Sequence, residues 1–153
     1  VLLDNGDTET LDRQDLRFSY RKLDYPARFK ADSSPVIVGV SLLLEKGDRE
    51  QIHREAQEIL QRRTASQPVS LPNAGCIFKN PEGGEPAGKL IDMAGLKGRV
   101  KGGAMISDRH ANFIVNTGNA RAEDILSLIE LAQKEVFDRF RVELETEVKR
   151  VGL

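Results

Sequence analysis

Phe113-Ile114-Val115-Asn116, then Thr117-Gly118-Asn119-Ala120, then a run from about Arg121 to Phe140 in which Ile125, Leu128, Ile129, Ala132 and Val136 recur at helical spacing: this stretch decides the fold. Residues 113–116 are β-branched or aromatic apart from their last member, the composition of a short strand. The polar, glycine-bearing segment after them is a turn, and Asn119 is placed to cap a helix from about Arg121 to Phe140. A strand feeding a long helix with one apolar face implies a sheet for that face to cover, so the expected class is α+β.

Working outward, two further short strands are expected at Arg99-Val100-Lys101 and Ala104-Met105-Ile106, and a closing strand at Val142 to Val148. Ala87 to Ala94 predicts a short helix burying Leu90, Ile91 and Ala94, stopped by Gly95 in a left-handed conformation with Leu96 as its apolar contact. Thr64 to Pro86 carries Pro68, Pro72, Pro81 and Pro86 with Gly75, Gly83 and Gly84, and reads as the main loop region. Before it, Asp48 caps a helix ending near Arg63, with Gln51 at the reciprocal position and Ile52, Ala56, Ile59 and Leu60 on one face. Val36 to Leu44, rich in β-branched residues and preceded by Pro35, reads as a buried strand. Asn5-Gly6 predicts a hairpin between Val1-Leu2-Leu3 and Thr8 to Leu11. The whole is a mixed sheet with two longer helices, without internal repeats.

Composition narrows the function classes. A chain of 153 residues, 39% apolar and 31% charged, holds one main core. A formal net charge of -1 gives no attraction to polyanions, so nucleic acid is not an expected partner. The single cysteine, Cys76, excludes an intrachain disulfide framework and points to a reducing compartment, the cytoplasm. No apolar run reaches the roughly 20 residues of a membrane span, and Val1-Leu2-Leu3-Asp4 lacks the pattern of a signal peptide. The absence of an initial methionine and the start inside a strand-like segment read as a chain cut from something longer.

Chemistry is sought first in Asn73-Ala74-Gly75-Cys76-Ile77-Phe78-Lys79-Asn80-Pro81, where small residues allow a close ligand approach beside a thiol, a cation and an amide. The same residues also suit a bounded turn holding a small packed cysteine. Arg21, after Tyr20, is either a carboxylate clamp or a solvated strand edge. Glu147 fits the polar face of a terminal strand. His53 and His110 have no partner at zinc-ligand spacing, and His110 is a core or substrate-facing imidazole. The Gly83-Gly84 and Gly102-Gly103 pairs lack the strand-to-helix setting of a dinucleotide fingerprint.

Taken together, Leu16-Arg17-Phe18-Ser19-Tyr20-Arg21, Gln67-Pro68, the Asn73–Pro81 segment, Ala87-Gly88-Lys89-Leu90-Ile91, Ala94-Gly95-Leu96-Lys97-Gly98, His110-Ala111-Asn112-Phe113-Ile114-Val115-Asn116 and Leu144-Glu145-Thr146-Glu147-Val148 resemble the bacterial UDP-N-acetylenolpyruvoylglucosamine reductases. These enzymes complete UDP-N-acetylmuramic acid synthesis for peptidoglycan. The resemblance implies FAD and NADPH as cofactors and a UDP-sugar enolpyruvyl ether as substrate. It implies Arg21 at the substrate carboxylate, Cys76 as proton donor, and Glu147, protonated or sharing a proton, beside the same carboxylate. Asn80, Lys97 and His110 fall where the family contacts substrate. Most members have serine where this chain has Cys76; a thiol remains protonated at neutral pH and is the stronger acid, so proton donation survives the exchange. The family's pyrophosphate loops do not occur in the chain. The resemblance therefore makes residues 1–46 the tail of the FAD-binding domain and 47–153 the substrate-binding domain of the shorter family form, with a missing N-terminal FAD-binding segment. Two other readings are a noncatalytic nucleotide-sugar binding module and a related flavin oxidoreductase with another substrate.

Overall fold

The computed structural model describes residues 1–3, 5–26, 29 and 35–151, and the chain separates into two units, Val1–Gly47 and Asp48–Leu153. In the first unit the expected opening hairpin forms: Leu2 bridges Thr8, and the Leu3 N–H donates to Asp7 O at 2.8 Å. Gly6 takes a positive φ of 88° there. A second hairpin joins β1 (Arg17–Ser19) to β2 (Lys22–Asp24), with Ser19 opposite Lys22, so Tyr20 and Arg21 alone make the turn.

The stretch from Val36 to Leu44 departs from the reading as a buried strand. Only Val36 is paired, through a bridge to Leu2, and the large apolar residues from Val36 to Leu44 are between 51% and 101% exposed. Apolar, β-branched composition is a demand for cover, and a strand becomes buried only when neighbours supply hydrogen bonds and a facing layer. Among the described residues no neighbour beyond Leu2 does so.

The second unit opens with α1 (Arg49–Ser66). Asp48 caps it as expected, its carboxylate accepting the Gln51 N–H at 2.7 Å, but the Gln51 side chain turns to Glu55 and closes no reciprocal box. The helix runs past Arg63 to Ser66, and none of its residues is buried. Its expected core-facing stripe of Ile52, Ile59 and Leu60 is exposed.

Inside the expected loop region lies β3 (Asn73–Cys76), which with β4 (Val100–Lys101), β5 (Ala104–Ile106) and β6 (Phe113–Asn116) forms a four-stranded sheet in the order β3-β6-β5-β4. The α+β class is the one found, and every pairing in this sheet is antiparallel. The short helix α2 (Ala87–Met93) ends as its sequence predicts: Gly95 has φ 72°, the Leu96 N–H returns to Ile91 O, and Leu96 is buried.

The long helix α3 (Ala122–Phe140) buries Leu128, Ile129, Ala132 and Val136 against the sheet and α2. Its start differs from expectation. Arg121, not Asn119, is the N-cap: the Asp124 carboxylate accepts the Arg121 N–H at 2.9 Å, while Asn119 stands in the left-handed region at φ 55° and Asn116 Oδ1 accepts the Ala120 N–H. That Arg121 backbone bond is the main reason the Asp124 carboxyl sits below the usual carboxylate range.

The closing strand is reduced to one bridge, Thr146 to Phe78, flanked by Lys79 N–H to Glu145 O at 2.9 Å and Glu147 N–H to Ile77 O at 2.8 Å. Leu144 still reaches the core, which includes Ile77, Phe78, Ile91, Ile106 and Ile114. No helix among the described residues is long and apolar enough to cross a membrane.

Candidate active site

Cys76 closes β3 beyond a break in register. Asn73 lies opposite Val115 and Cys76 opposite Phe113, so three steps on β3 face two on β6. Such a bulge re-aims the side chains next to it. Gly75 makes it possible, with φ 82°, a conformation that costs a residue with a Cβ but not glycine. Asn73 holds the bulge closed: its Oδ1 accepts the Gly75 N–H at 3.0 Å and its Nδ2 donates to Leu71 O and Pro68 O. The Cys76 thiol is half-buried.

The residues after Cys76 are fastened from two sides. Ile77 donates its N–H to Asn112 O at 2.8 Å, and both polar groups of the Phe78 residue meet the Asn112 carboxamide, the N–H at 2.9 Å on Oδ1 and the C=O at 2.8 Å from Nδ2. On the other side Ile77 O receives the Glu147 N–H. Glu147 thus lies directly across from Ile77, one position from Cys76, although the two are far apart in sequence. Ile77 and Phe78 are consecutive yet both 2% exposed, so the segment is covered on both faces. Glu147 is half-buried, with its Oε2 enclosed by protein. Lys79 and Glu145 form an ion pair beside this ladder.

Asn80 turns its Oδ1 to the Ala87 N–H at 3.1 Å and so anchors the start of α2. One residue on, Gly88 faces the His110 imidazole so closely that a Cβ there would come within 3.0 Å of Cε1. His110 packs edge-on against Phe113, and its Nδ1 accepts the Asn112 N–H at 3.2 Å. An accepting Nδ1 requires a neutral ring with its proton on Nε2. Burial first, and the positive charge of Lys97 second, lower the His110 pKa and favour that form. Lys97 itself pairs with Asp92 Oδ2 at 2.6 Å.

A continuous set of contacts therefore runs from Asn80 through α2 to His110, from His110 through Asn112 to Phe78, and along the ladder to Cys76 and Glu147. Asn112 is the member that local pattern barely marks; the available signal is a polar residue between Ala111 and Phe113 in an otherwise apolar run, which a fold tolerates only when the carboxamide is fully bonded. Arg21 belongs to the first unit. It occupies the second turn position at φ 55°, with its Nε donating to Tyr20 Oη at 3.2 Å and its guanidinium 5.5 Å from the Tyr20 ring. Left-handed backbone at a non-glycine residue is uncommon and costs energy, and such positions gather at functional sites.

Residues 67–151 match the family described as UDP-N-acetylenolpyruvoylglucosamine reductase, C-terminal domain. Among curated relatives, the UDP-N-acetylenolpyruvoylglucosamine reductase of Desulfosudis oleivorans is 53% identical over 142 residues, covering 92% of this chain and 45% of its own length. That of Alkaliphilus oremlandii is 43% identical over 152 residues, covering 99% and 48%. The crystal structure of the enzyme from Thermus caldophilus superposes with a TM-score of 0.74 at 40% identity, over 95% of this chain and 50% of that one. The chain spans about half the length of the curated relatives it matches. By its matched domain and its fold, the chain belongs to the UDP-N-acetylenolpyruvoylglucosamine reductase family.

Proposed function

We propose that the chain is the substrate-binding part of a reductase that converts UDP-N-acetylglucosamine enolpyruvate to UDP-N-acetylmuramate, with FAD and NADPH, for peptidoglycan precursor synthesis in the bacterial cytoplasm. Residues 47–153 form the substrate-binding domain in this reading, and residues 1–46 the tail of the FAD-binding domain. The observation that carries it is the ladder that sets Glu147 across from Ile77, one residue along the chain from Cys76, within a chain of this family. The exposed apolar run from Val36 to Leu44 supports the domain assignment, since the remaining half of such an enzyme would supply its cover.

The Gly102-Gly103 pair does not fit the flavin pyrophosphate. A Cβ on Gly102 would collide with the Asp124 carboxylate, and Asp124 Oδ2 already accepts the Gly103 N–H, so an anion occupies that corner. We accordingly assign no residue of residues 47–153 to FAD.

A reduced flavin, to which no residue of 47–153 is assigned, would supply the hydride that the β carbon of the enolpyruvyl group takes up. Cys76 then delivers its S–H proton to the neighbouring α carbon, completing addition of two hydrogens across the double bond, and the thiolate recovers a proton from solvent. In this reading Arg21 takes the substrate carboxylate, and Glu147, protonated or sharing a proton, donates a hydrogen bond to the same group, so both would act on the charge that develops there. Neutral His110 offers Nε2–H to the substrate, Lys97 a cation to its diphosphate, and Asn80 the remainder of its carboxamide.

In the complete enzyme, Cys76→Ala should leave flavin reduction by NADPH nearly intact and slow flavin reoxidation by the UDP-sugar about 10²–10⁴-fold, the usual contribution of a positioned acid. Cys76→Ser should stay active. Stopped-flow traces in which the alanine variant reoxidises at the parent rate would remove Cys76 from the reaction.

A further inference from the structure

We propose that Asn112 is a positioning residue for this reaction, its carboxamide setting the segment that carries Cys76 against the segment that carries Glu147. The inference rests on the proton-donor reading of Cys76 given above. β6 begins only at Phe113, so no strand backbone lies beside Phe78 on that side. The Asn112 side chain replaces the missing peptide, offering Phe78 one acceptor at 2.9 Å and one donor at 2.8 Å, while its own backbone O takes the Ile77 N–H.

On the far edge, Glu147 N–H and Glu145 O bind Ile77 and Lys79. Residues 77–79 are therefore the middle rail of a three-rail junction whose outer rails are Asn112 and residues 145–147. Asn112 is 3% exposed, and its N–H also sets the His110 tautomer through Nδ1. One buried asparagine thus touches the supports of three proposed site residues: Cys76, Glu147 and His110.

The arrangement requires one donor and one acceptor at fixed separation. Aspartate keeps the acceptor for Phe78 N–H but turns a second oxygen on Phe78 O, and serine is too short to span both groups. Displacing reacting groups by about 1 Å costs on the order of 10²-fold in rate.

Two readouts test the proposal. Alkylation by iodoacetamide in the complete enzyme, read by mass spectrometry on the peptide that carries Cys76, reports on that thiol alone. In Asn112→Asp, checked by circular dichroism to be folded, alkylation should speed up about tenfold as the lost hydrogen bond makes local opening easier. In the complete enzyme the same variant should reoxidise its flavin with UDP-sugar on the order of 10²-fold more slowly, with reduction by NADPH unchanged. Reoxidation should recover partly as pH falls, because the carboxyl introduced at position 112 regains a donor when it is protonated.

Should Asn112→Asp fail to fold, Asn112→Ser takes its place, with the same expectations in alkylation and reoxidation but no recovery in acid. Reoxidation at the parent rate in a folded Asn112 variant overturns the proposal, whatever the alkylation result. So does a reoxidation defect with unaltered Cys76 alkylation. Failure of the underlying reading is recognised separately: Cys76→Ala would then reoxidise normally.

Discussion

Gly103→Ala should unfold the second unit far more readily than the size of a methyl group suggests. A Cβ on Gly103 would lie well inside 3.0 Å of Gly118 O and Ala120 N, and 2.7 Å from Ala120 Cα. All three atoms are backbone, so no side chain can rotate aside. Relief requires the β4–β5 turn to withdraw by about 1 Å from the segment leading into α3, since carbon contacts are comfortable only near 3.5 Å. That withdrawal breaks the Thr117 N–H bond to Gly103 O at 2.9 Å and the Asp124 bond to the Gly103 N–H at 3.3 Å. Overpacking costs about 1–3 kcal/mol and each lost hydrogen bond about 1, for a sum of about 3–5 kcal/mol. With a urea dependence of about 2 kcal/mol per molar, the midpoint should fall by about 1.5–2.5 M. Circular dichroism during urea titration measures it, α3 supplying the signal. Gly84→Ala is the control: its Cβ would meet Pro81 Cβ at an ordinary 3.7 Å, and the midpoint should stay or rise slightly. A Gly103→Ala midpoint within about 0.3 M of the parent would show that the turn and the α3 approach are not in rigid contact, and the overpacking cost assigned to them would be wrong.

His110 should titrate below the ordinary histidine range, because burial and then Lys97 lower its pKa. The unfolded chain then binds the extra proton first, so stability should decline as pH drops through about 6.5 toward the lower folded value; His110→Gln should flatten that slope, and an NMR midpoint above 6.5 would contradict it. Arg21→Gly should change stability by no more than about 1 kcal/mol in either direction, because relief of the left-handed strain offsets the freedom glycine adds to the unfolded chain, while the complete enzyme loses affinity for the enolpyruvyl substrate. A larger loss of stability would mean that stacking on Tyr20, not recognition of an acid, explains arginine at that turn.

The elements most legible in the sequence are those whose signals are local. Helix α3 follows from its apolar spacing, α2 from Gly95 and Leu96, and the Asp48 cap from its place before Gln51. What sequence does not disclose is who supplies the cover. Val36–Leu44 and the Ile52–Leu60 stripe carry the composition of buried elements, yet composition expresses only a preference for burial, and the described residues do not satisfy it. The cap of α3 departs from the sequence reading because Asn119 takes the left-handed region, which an N-cap does not, and the Asp124 carboxylate, three residues past the cap, reaches the Arg121 amide. For the site, the family motifs mark Cys76, Asn80, His110 and Glu147, but the Asn112 bracket on Phe78 depends on a pairing between remote segments that no periodicity records.

Helix α1, which the described residues leave uncovered, shows what such an element implies for how the second unit by itself breathes. Its side chains bond chiefly to one another, Gln51 to Glu55, Gln57 to His53 and Arg63 to Gln67, and a tie to the rest of the unit comes from the Arg109 guanidinium on Thr64 O at 2.8 Å. Such neighbouring pairs contribute only about 0.2–0.5 kcal/mol each, and helices of this length are marginal without packing. Amide protons along α1 should therefore exchange through cheap local melting while those of α3 wait for global unfolding, so the second unit carries two tiers of stability, and the lower tier begins at the end of α1 farthest from Arg109.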